Sequence, residues 1–380
     1  MLNNGYDIII LDFQIGNKSY IQSNAMTLVK LLNDINQKFK STKNANIIIG
    51  ASMGGLISKY ALSYMEKNGM DHETNIHVSL DSPHNGANIT LGLQHAINYF
   101  VKYSDGAKII RNVILNSIAA KQMLIHHYKG GNRTLRKTFL EEFALLGLPK
   151  KCKNIAISNG NPSGIGLNYS PGELIFGFDG DVKIFADLHA KVWSLPDQSS
   201  GEFTIGEFDG PFNGEAKITV SGKIYPYDSA PGGWRNTLQY MERIMIKEKP
   251  GSVRKFKFYK NANYHCFIPT ISSLAMTNVS HPYYNVKNEP GDIYSKTAFD
   301  QIYYPSQKFL NDEINKNQKH VKITTETTDW LASEINRTNI ILDGNTWNYG
   351  EYKATQSITL KPGFSSKNIH LSIGKSLDCE

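Results

Sequence analysis

The sequence predicts an α/β fold with a mostly parallel sheet, a helical insertion and a β-rich insertion. Three observations carry that prediction. Over the first eighty residues, short apolar runs alternate with stretches whose apolar residues recur every three or four positions. A serine bracketed by glycines stands where one such run passes into a helical stretch. Beyond residue 160, helical spacing gives way to Gly, Pro and Asp among short alternating segments, as antiparallel strands require.

Taken in order, Ile8 to Leu11 is a fully apolar run and reads as a strand buried on both faces. Tyr20 to Lys38 reads as a helix, with Ile21, Ala25, Leu28, Leu32 and Ile35 on one stripe. Ile47 to Ile49 is the next buried strand. A second helix runs from Gly55 to Lys67, carrying Leu56, Tyr60 and Tyr64 and stopping at Asn68-Gly69. Ile76 to Leu80 is a third strand. Strand and helix in strict alternation imply parallel strands joined by crossover helices.

Residues 90–148 read as a helical cap or lid, with helical runs at Ile109–Tyr128 and Leu135–Leu148. Asn154 to Ser158 is a further core strand. The β-rich insertion spans 160–250, with strands expected at Val182–Leu188, Ala216–Val220 and Gly222–Tyr225. Val253–Tyr259 is expected to return to the main body, and Thr325–Ile335 to form a closing helix. The domain division is 1–336 for the α/β body and 337–380 for a small β module, with strands at Ile358–Leu360 and Ile369–Ile373.

Composition narrows the function classes. The net charge is +7 over 380 residues, but Lys and Arg are scattered singly, which does not point to nucleic acid. Cys152, Cys266 and Cys379 are far apart and form no CxxC, so neither a zinc site nor a thiol redox pair is indicated. No metal or cofactor is implied. No apolar run approaches the roughly 18 residues of a membrane helix, and no signal peptide opens the chain. A core strand so near residue 1 leads to the expectation that the chain is a fragment, or begins at a misplaced start.

Gly50-Ala51-Ser52-Met53-Gly54 fits G-x-S-x-G between a run of three isoleucines and an amphipathic helix. That is the strand–turn–helix setting of a nucleophile elbow. In so tight a turn, Gly50 and Gly54 are expected to relieve crowding. The Ser52 hydroxyl then projects above the carboxyl ends of the strands. The Met53 amide, at the helix N-terminus, points at the same spot as an oxyanion donor. The bland alternative is a glycine-rich turn with an incidental serine.

Residues 7–88, through IIIGASMGGLISKYAL and HVSLDSPHNGAN, resemble the nucleophile half of bacterial lipases and serine esterases of the α/β-hydrolase superfamily. The second stretch is similar to the Pro-His-x-Gly-Ala segment of GPI inositol-deacylase-like esterases. The resemblance implies an α/β-hydrolase-like fold and an ester or lipid-like substrate. It also implies a base and an acid in the chain order Ser, Asp or Glu, His. His320, after the main sheet, is the expected base, and Asp300 the expected acid. Asp81, directly after the third strand, and Asp228 are alternative acids, and His265 is an alternative base. His84 is expected to brace the loop after the third strand.

The superfamily takes its second oxyanion donor from a loop upstream of the strands seen here, so that donor is expected to be missing. The segment Ala354–Phe364 resembles short β modules at the ends of secreted bacteroidete proteins, which leads to an expectation of a secreted or cell-surface protein, with envelope or membrane-surface association. The expected activity is a serine esterase or lipase. The rival is a non-catalytic surface protein that binds glycan or a partner on the same scaffold. An acyltransferase or peptidase using the same triad is a further alternative.

Overall fold

A computed structural model describes residues 7–13, 18–40, 45–130, 133–159, 167, 169–170, 172–182, 186–196, 201–221, 227–235, 265–276, 299, 301–303, 334–342, 350–360 and 369–373. The main body begins with α1 (Ile21–Lys38), β1 (Asn46–Ala51), α2 (Met53–Lys67) and β2 (Thr74–Leu80). With β3 (Lys153–Ile157) and β10 (Gln301–Tyr303) these strands form a four-stranded sheet in the order β1-β2-β3-β10, parallel throughout. The expected α/β fold with a parallel sheet is therefore present.

One face of this sheet is covered by helices. Leu28 and Leu32 of α1 and Leu56, Ile57, Leu62 and Met65 of α2 are buried in a single cluster with Phe139 and Phe143. Each such side chain contributes about 1.5–3 kcal/mol by leaving water. The first N–H of α1, on Ile21, has no intrahelical acceptor and donates to Gln122 Oε1 at 2.9 Å. The helix is thereby tied to a segment a hundred residues away.

Two strand expectations need correcting. Ile8–Leu11 forms no strand; Ile8, Ile9 and Ile10 are exposed, Ile10 at 88 %. Ile47–Ile49 does form β1, but Ile47 and Ile49 are exposed while Ile48 turns toward the helices. The reason is positional. β1 ends the described sheet order, and helices cover only the face that Ile48 shares.

Residues 90–148 divide between two cores. The run α3 (Leu91–Tyr99), a 3₁₀ turn (Phe100–Lys102), α4 (Asp105–Ile109) and a π-helical turn (Ile110–Leu115) packs largely with the β-rich insertion. The helix expected over Ile109–Tyr128 is broken at Ser117, which caps the short α5 (Ile118–Met123). By contrast, α6 (Arg133–Leu146) joins α1 and α2 under the main sheet through Phe139 and Phe143.

The insertion is an antiparallel sheet in the order β4 (Leu174–Val182), β5 (Ala186–Trp193), β6 (Glu202–Asp209) and β7 (Ala216–Ser221). Val182 closes β4 and Ala186 opens β5, so the segment expected as one strand over Val182–Leu188 is divided between two strands. Within β4, Asp179, Gly180 and Asp181 lie opposite His189, Leu188 and Asp187, and His189 Nδ1 lies 2.8 Å from Asp179 Oδ1.

A separate ribbon pairs β8 (Gly232–Arg235) with β9 (His265–Pro269), followed by a helical turn, Thr270–Ser273. Near the C-terminus, β11 (Glu334–Leu342), β12 (Gly350–Leu360) and β13 (Ile369–Ile373) form a three-stranded parallel sheet. Glu334 and Ile335, expected to end a closing helix, open β11 instead. The rest of that expected helix, Gly222–Tyr225 and Val253–Tyr259 lie outside the described residues.

Helix α3 meets the insertion with no space to spare. A Cβ on Gly92 would stand 2.2 Å from the Ile205 carbonyl oxygen and 2.7 Å from Val192 Cγ1. Gly92→Ala is expected to destabilise the protein by about 1–3 kcal/mol despite the better helix propensity of alanine. Urea denaturation of the two proteins checks this.

Candidate active site

Strand β1 continues its ladder one residue past its end: Ser52 N–H donates to the Leu80 carbonyl at 2.8 Å. The backbone then reverses sharply. Ser52 has φ 50° and ψ −121°, a region that costs a non-glycine residue on the order of 1–3 kcal/mol. Helix α2 starts at once with Met53. Ser52 stands at the N-cap, yet its side chain makes no capping hydrogen bond.

Two other serines in the chain show what an ordinary cap looks like. Ser104 and Ser117 have extended backbones, and their hydroxyls accept from Ala107 N and Ala120 N, capping α4 and α5. Ser52 does neither. Its side chain is half-buried, and no hydrogen-bond partner for Oγ is found among the described residues. Nor does the Met53 N–H have an acceptor among the described residues, while Gly55 N–H returns to the Ser52 carbonyl at 3.1 Å. A hydroxyl and a helix N-terminal amide are thus both unspent at one turn, where the helix dipole favours negative charge.

The glycines that permit this are not quite the expected pair. A Cβ on Gly50 would lie 2.3 Å from the Gly54 carbonyl oxygen, so Gly50 is required. A Cβ on Gly54 would meet nothing within 4 Å. The second tight position is Gly55, where a Cβ would stand 2.0 Å from Ser82 Oγ and 2.7 Å from Ser79 Oγ. Gly54 lends its carbonyl to the crowding; Gly55 lets α2 press on the end of β2.

Asp81 occupies on β2 the place that Ser52 occupies on β1. Ala51 pairs with Leu80, and each strand is followed by one residue of positive φ, 50° at Ser52 and 43° at Asp81. Neighbouring strands lie about 4.8 Å apart, so the two residues emerge side by side at the carboxyl edge. Asp81 N–H donates to the Ile157 carbonyl, and the carboxylate accepts from Asn159 N and Asn159 Nδ2, both at 3.1 Å. The β8–β9 ribbon covers it: a Cβ on Gly233 would be 2.8 Å from Asp81 Oδ2. Burial pushes the Asp81 carboxyl up to about 7, against the pull of the Asn159 donors.

The loop that follows is fastened to the chain around β9. Asn85 N–H donates to Ser272 Oγ at 3.0 Å, and Ser272 Oγ donates to the Gly86 carbonyl at 2.7 Å. Asn88 N–H donates to the Phe267 carbonyl at 2.7 Å. Arg136 of α6 donates to the Asn85 carbonyl from the other side. His84 is buried, bonded to Ser79 Oγ at 2.8 Å and set against Phe143 and Phe299. Burial holds its imidazole well below the usual range, so it is a neutral brace.

The remaining candidates have other surroundings. Asp228 is fully buried; it accepts from Asn88 Nδ2 at 2.9 Å and from Leu195 N at 3.1 Å, joining three segments distant in sequence. His265 opens β9 and is buried. His320 and Asp300 lie outside the described residues. Among the described residues no group of three His, Cys, Asp or Glu side chains could hold a metal ion.

A buried triplet escaped the sequence reading. Ser58 Oγ lies 2.9 Å from His77 Nε2, and His77 Nδ1 lies 3.0 Å from Asn154 Oδ1. The connectivity imitates a catalytic triad. However, Ser58, His77 and Asn154 are all buried, and burial lowers the His77 pKa to about 4. No substrate reaches this serine, so the triplet is a polar tie between α2, β2 and β3. Spacing in sequence carries no signal for it.

A parallel sheet, a crossover helix that begins at a strained serine, and a carboxylate on the next strand define an α/β-hydrolase-like domain. Residues 12–130 match the family model described as the PGAP1-like alpha/beta domain. The match contains Ser52, Met53 and Asp81. No curated protein matches significantly. Two solved structures are similar, both of the Bacillus licheniformis lipase BlEst2. The propeptide form has a TM-score of 0.26 and 19 % identity over 38 % of this chain and 27 % of that one. The mature form has a TM-score of 0.25 and 18 % identity over 38 % of this chain and 50 % of that one. The chain therefore spans half or less of the lipase chains it resembles.

Gly50→Ala is expected to lose the folded elbow, with a cost of several kcal/mol, whereas Gly54→Ala should change stability by less than about 1 kcal/mol. Thermal melts of both variants test the distinction. Asp81 predicts a pH dependence. Its folded pKa lies above the unfolded value of 3.8, so its contribution is complete below about pH 4 and is lost as pH rises through about 7. Asp81→Asn should therefore be more stable than wild type at pH 8, by on the order of 2–4 kcal/mol, and should lose that advantage near pH 4. Denaturation at the two pH values checks the sign.

Proposed function

We propose that this protein is a serine hydrolase that cleaves carboxylic ester bonds through an acyl-enzyme on Ser52. The observation that carries the reading is the Ser52 backbone: positive φ, at a helix N-cap, with the hydroxyl not used for capping. Ser104 and Ser117, the serines that cap α4 and α5, have extended backbones and spend their hydroxyls on the cap.

In the proposed reaction the base removes the Ser52 Oγ proton as Oγ attacks the ester carbonyl. The developing oxyanion accepts from the Met53 N–H. The protonated base then gives its proton to the departing alcohol, and water, activated by the same base, releases the acid. We assign the base to His320, which follows β10 in the chain order the superfamily uses. We assign the orienting acid to Asp81. It directly follows β2 at the edge where Ser52 emerges. An ester or lipid-like substrate suits this chemistry.

Labelling with a fluorophosphonate probe is expected to modify Ser52, and Ser52→Ala should lose both labelling and hydrolysis of a p-nitrophenyl ester. Asp81→Asn should lower kcat by about 10³–10⁴-fold, as removal of the orienting carboxylate does in serine hydrolases; Asp300→Asn should leave kcat near wild type. Hydrolysis that persists in Ser52→Ala would sink the nucleophile assignment. The reverse pattern between the two aspartates would move the acid to Asp300.

A further inference from the structure

The helical run after α3 buries one side and leaves aliphatic side chains on the other. Gly106, Ala107 and Leu115 are buried, and Ala107, Leu115 and in part Ile110 pack into the core shared with the antiparallel sheet. Three further aliphatic residues point outward: Ile109 is 59 % exposed, Ile114 46 % and Val113 36 %. They sit together where α4 passes into the π-helical turn, a rare geometry that widens the helix and often marks a functional segment. Single exposed aliphatic residues are ordinary, but three on adjoining turns are not.

Charge around this patch is mostly of one sign. Lys102 and Lys108 are exposed and Arg111 is half-buried beside it. Neither Lys102 nor Lys108 is in an ion pair among the described residues. Between Phe100 and Gly130, Asp105 is the single acidic residue against five basic ones. Aliphatic side chains rimmed by cations complement a surface with an apolar interior and anionic headgroups. At ~1.5 Å per residue the segment Asp105–Leu115 is far too short for a hydrocarbon core of ~30 Å, so it would lie along the interface. The helix that follows, α5, ends against the loop that begins at Asp81: Ala87 N–H donates to the Met123 carbonyl and the Ala87 carbonyl accepts from Ile125 N–H, both at 2.9 Å.

We propose that the segment Asp105–Leu115 docks this protein on the surface of an anionic lipid bilayer, with Ile109, Val113 and Ile114 inserted among the acyl chains and Lys102, Lys108 and Arg111 at the headgroups. The inference does not depend on the hydrolase reading, because docking requires no turnover.

Flotation of the full chain with vesicles of phosphatidylcholine, with and without about 30 % phosphatidylglycerol, tests it. The protein should float with the anionic vesicles and, relative to them, bind the neutral ones at least about tenfold more weakly. A triple Ile109→Ser, Val113→Ser, Ile114→Ser variant should lose binding by about tenfold or more, with an unchanged circular dichroism spectrum. A Lys108→Glu, Arg111→Glu variant should lose the preference for anionic vesicles. Ser52→Ala should bind as wild type, which separates this result from the catalytic assignment. Absence of binding to either vesicle, or triple-serine protein that floats like wild type, overturns the proposal. So does a patch that instead drives concentration-dependent dimerisation, lost in the triple variant, with no vesicle binding.

Discussion

Helix α2 can begin where it does only because no side chain stands at Gly50 or Gly55. One position faces the carbonyl of Gly54, the other the hydroxyls of Ser79 and Ser82. The helix N-terminus is therefore pressed against the ends of two adjacent strands. Everything notable about Ser52 follows. The chain has one residue in which to change from strand to helix, so that residue takes an unfavourable φ, and its hydroxyl is turned away from the capping position. The buried contacts of Leu56, Ile57, Leu62 and Met65 hold the helix in place and offset the local strain.

The carboxyl edge of the sheet is then built up by polar ties. Asp81 is held by Asn159 and covered by Gly233; Asn85 and Asn88 fasten the next loop to the chain around β9; Asp228 links that loop to the end of β5. Buried hydrogen bonds of this kind contribute modestly when made, about 0.5–1.5 kcal/mol each, but leaving one partner unsatisfied is expensive. They select one arrangement of loops that the hydrophobic core alone would not distinguish. The same logic explains the Ser58–His77–Asn154 triplet, whose triad-like bonds serve register and not reaction.

The local signals in the sequence read well. The helices at Ile21–Lys38 and Met53–Lys67, the strands at Asn46–Ala51, Thr74–Leu80 and Lys153–Ile157, and the elbow at Ser52 all rest on near-neighbour patterns. What failed were inferences about surroundings. Ile8–Leu11 and Ile47–Ile49 have the composition of strands buried on both faces, yet whether a run is paired or covered depends on chain that is remote in sequence. Ile109–Tyr128 has helical spacing, but Ser117 competes for the backbone and caps a new helix instead.

By itself the sequence determined the fold class and the place of the tight turn at Ser52, since both are encoded within a span of a few residues: apolar periodicity on either side, and glycines around a serine. It also named His320 and Asp300 as the expected base and acid, with Asp81 and Asp228 as alternative acids and His265 as an alternative base. Only the tertiary structure decided that Gly55 rather than Gly54 is the second tight glycine, that Asp81 emerges beside Ser52, and that Asp228 is occupied by Asn88 and Leu195. These are facts about strand register and close approach. Residues brought to one sheet edge from positions 30 to 180 apart leave no periodic trace along the chain, and the folded backbone is what makes them neighbours.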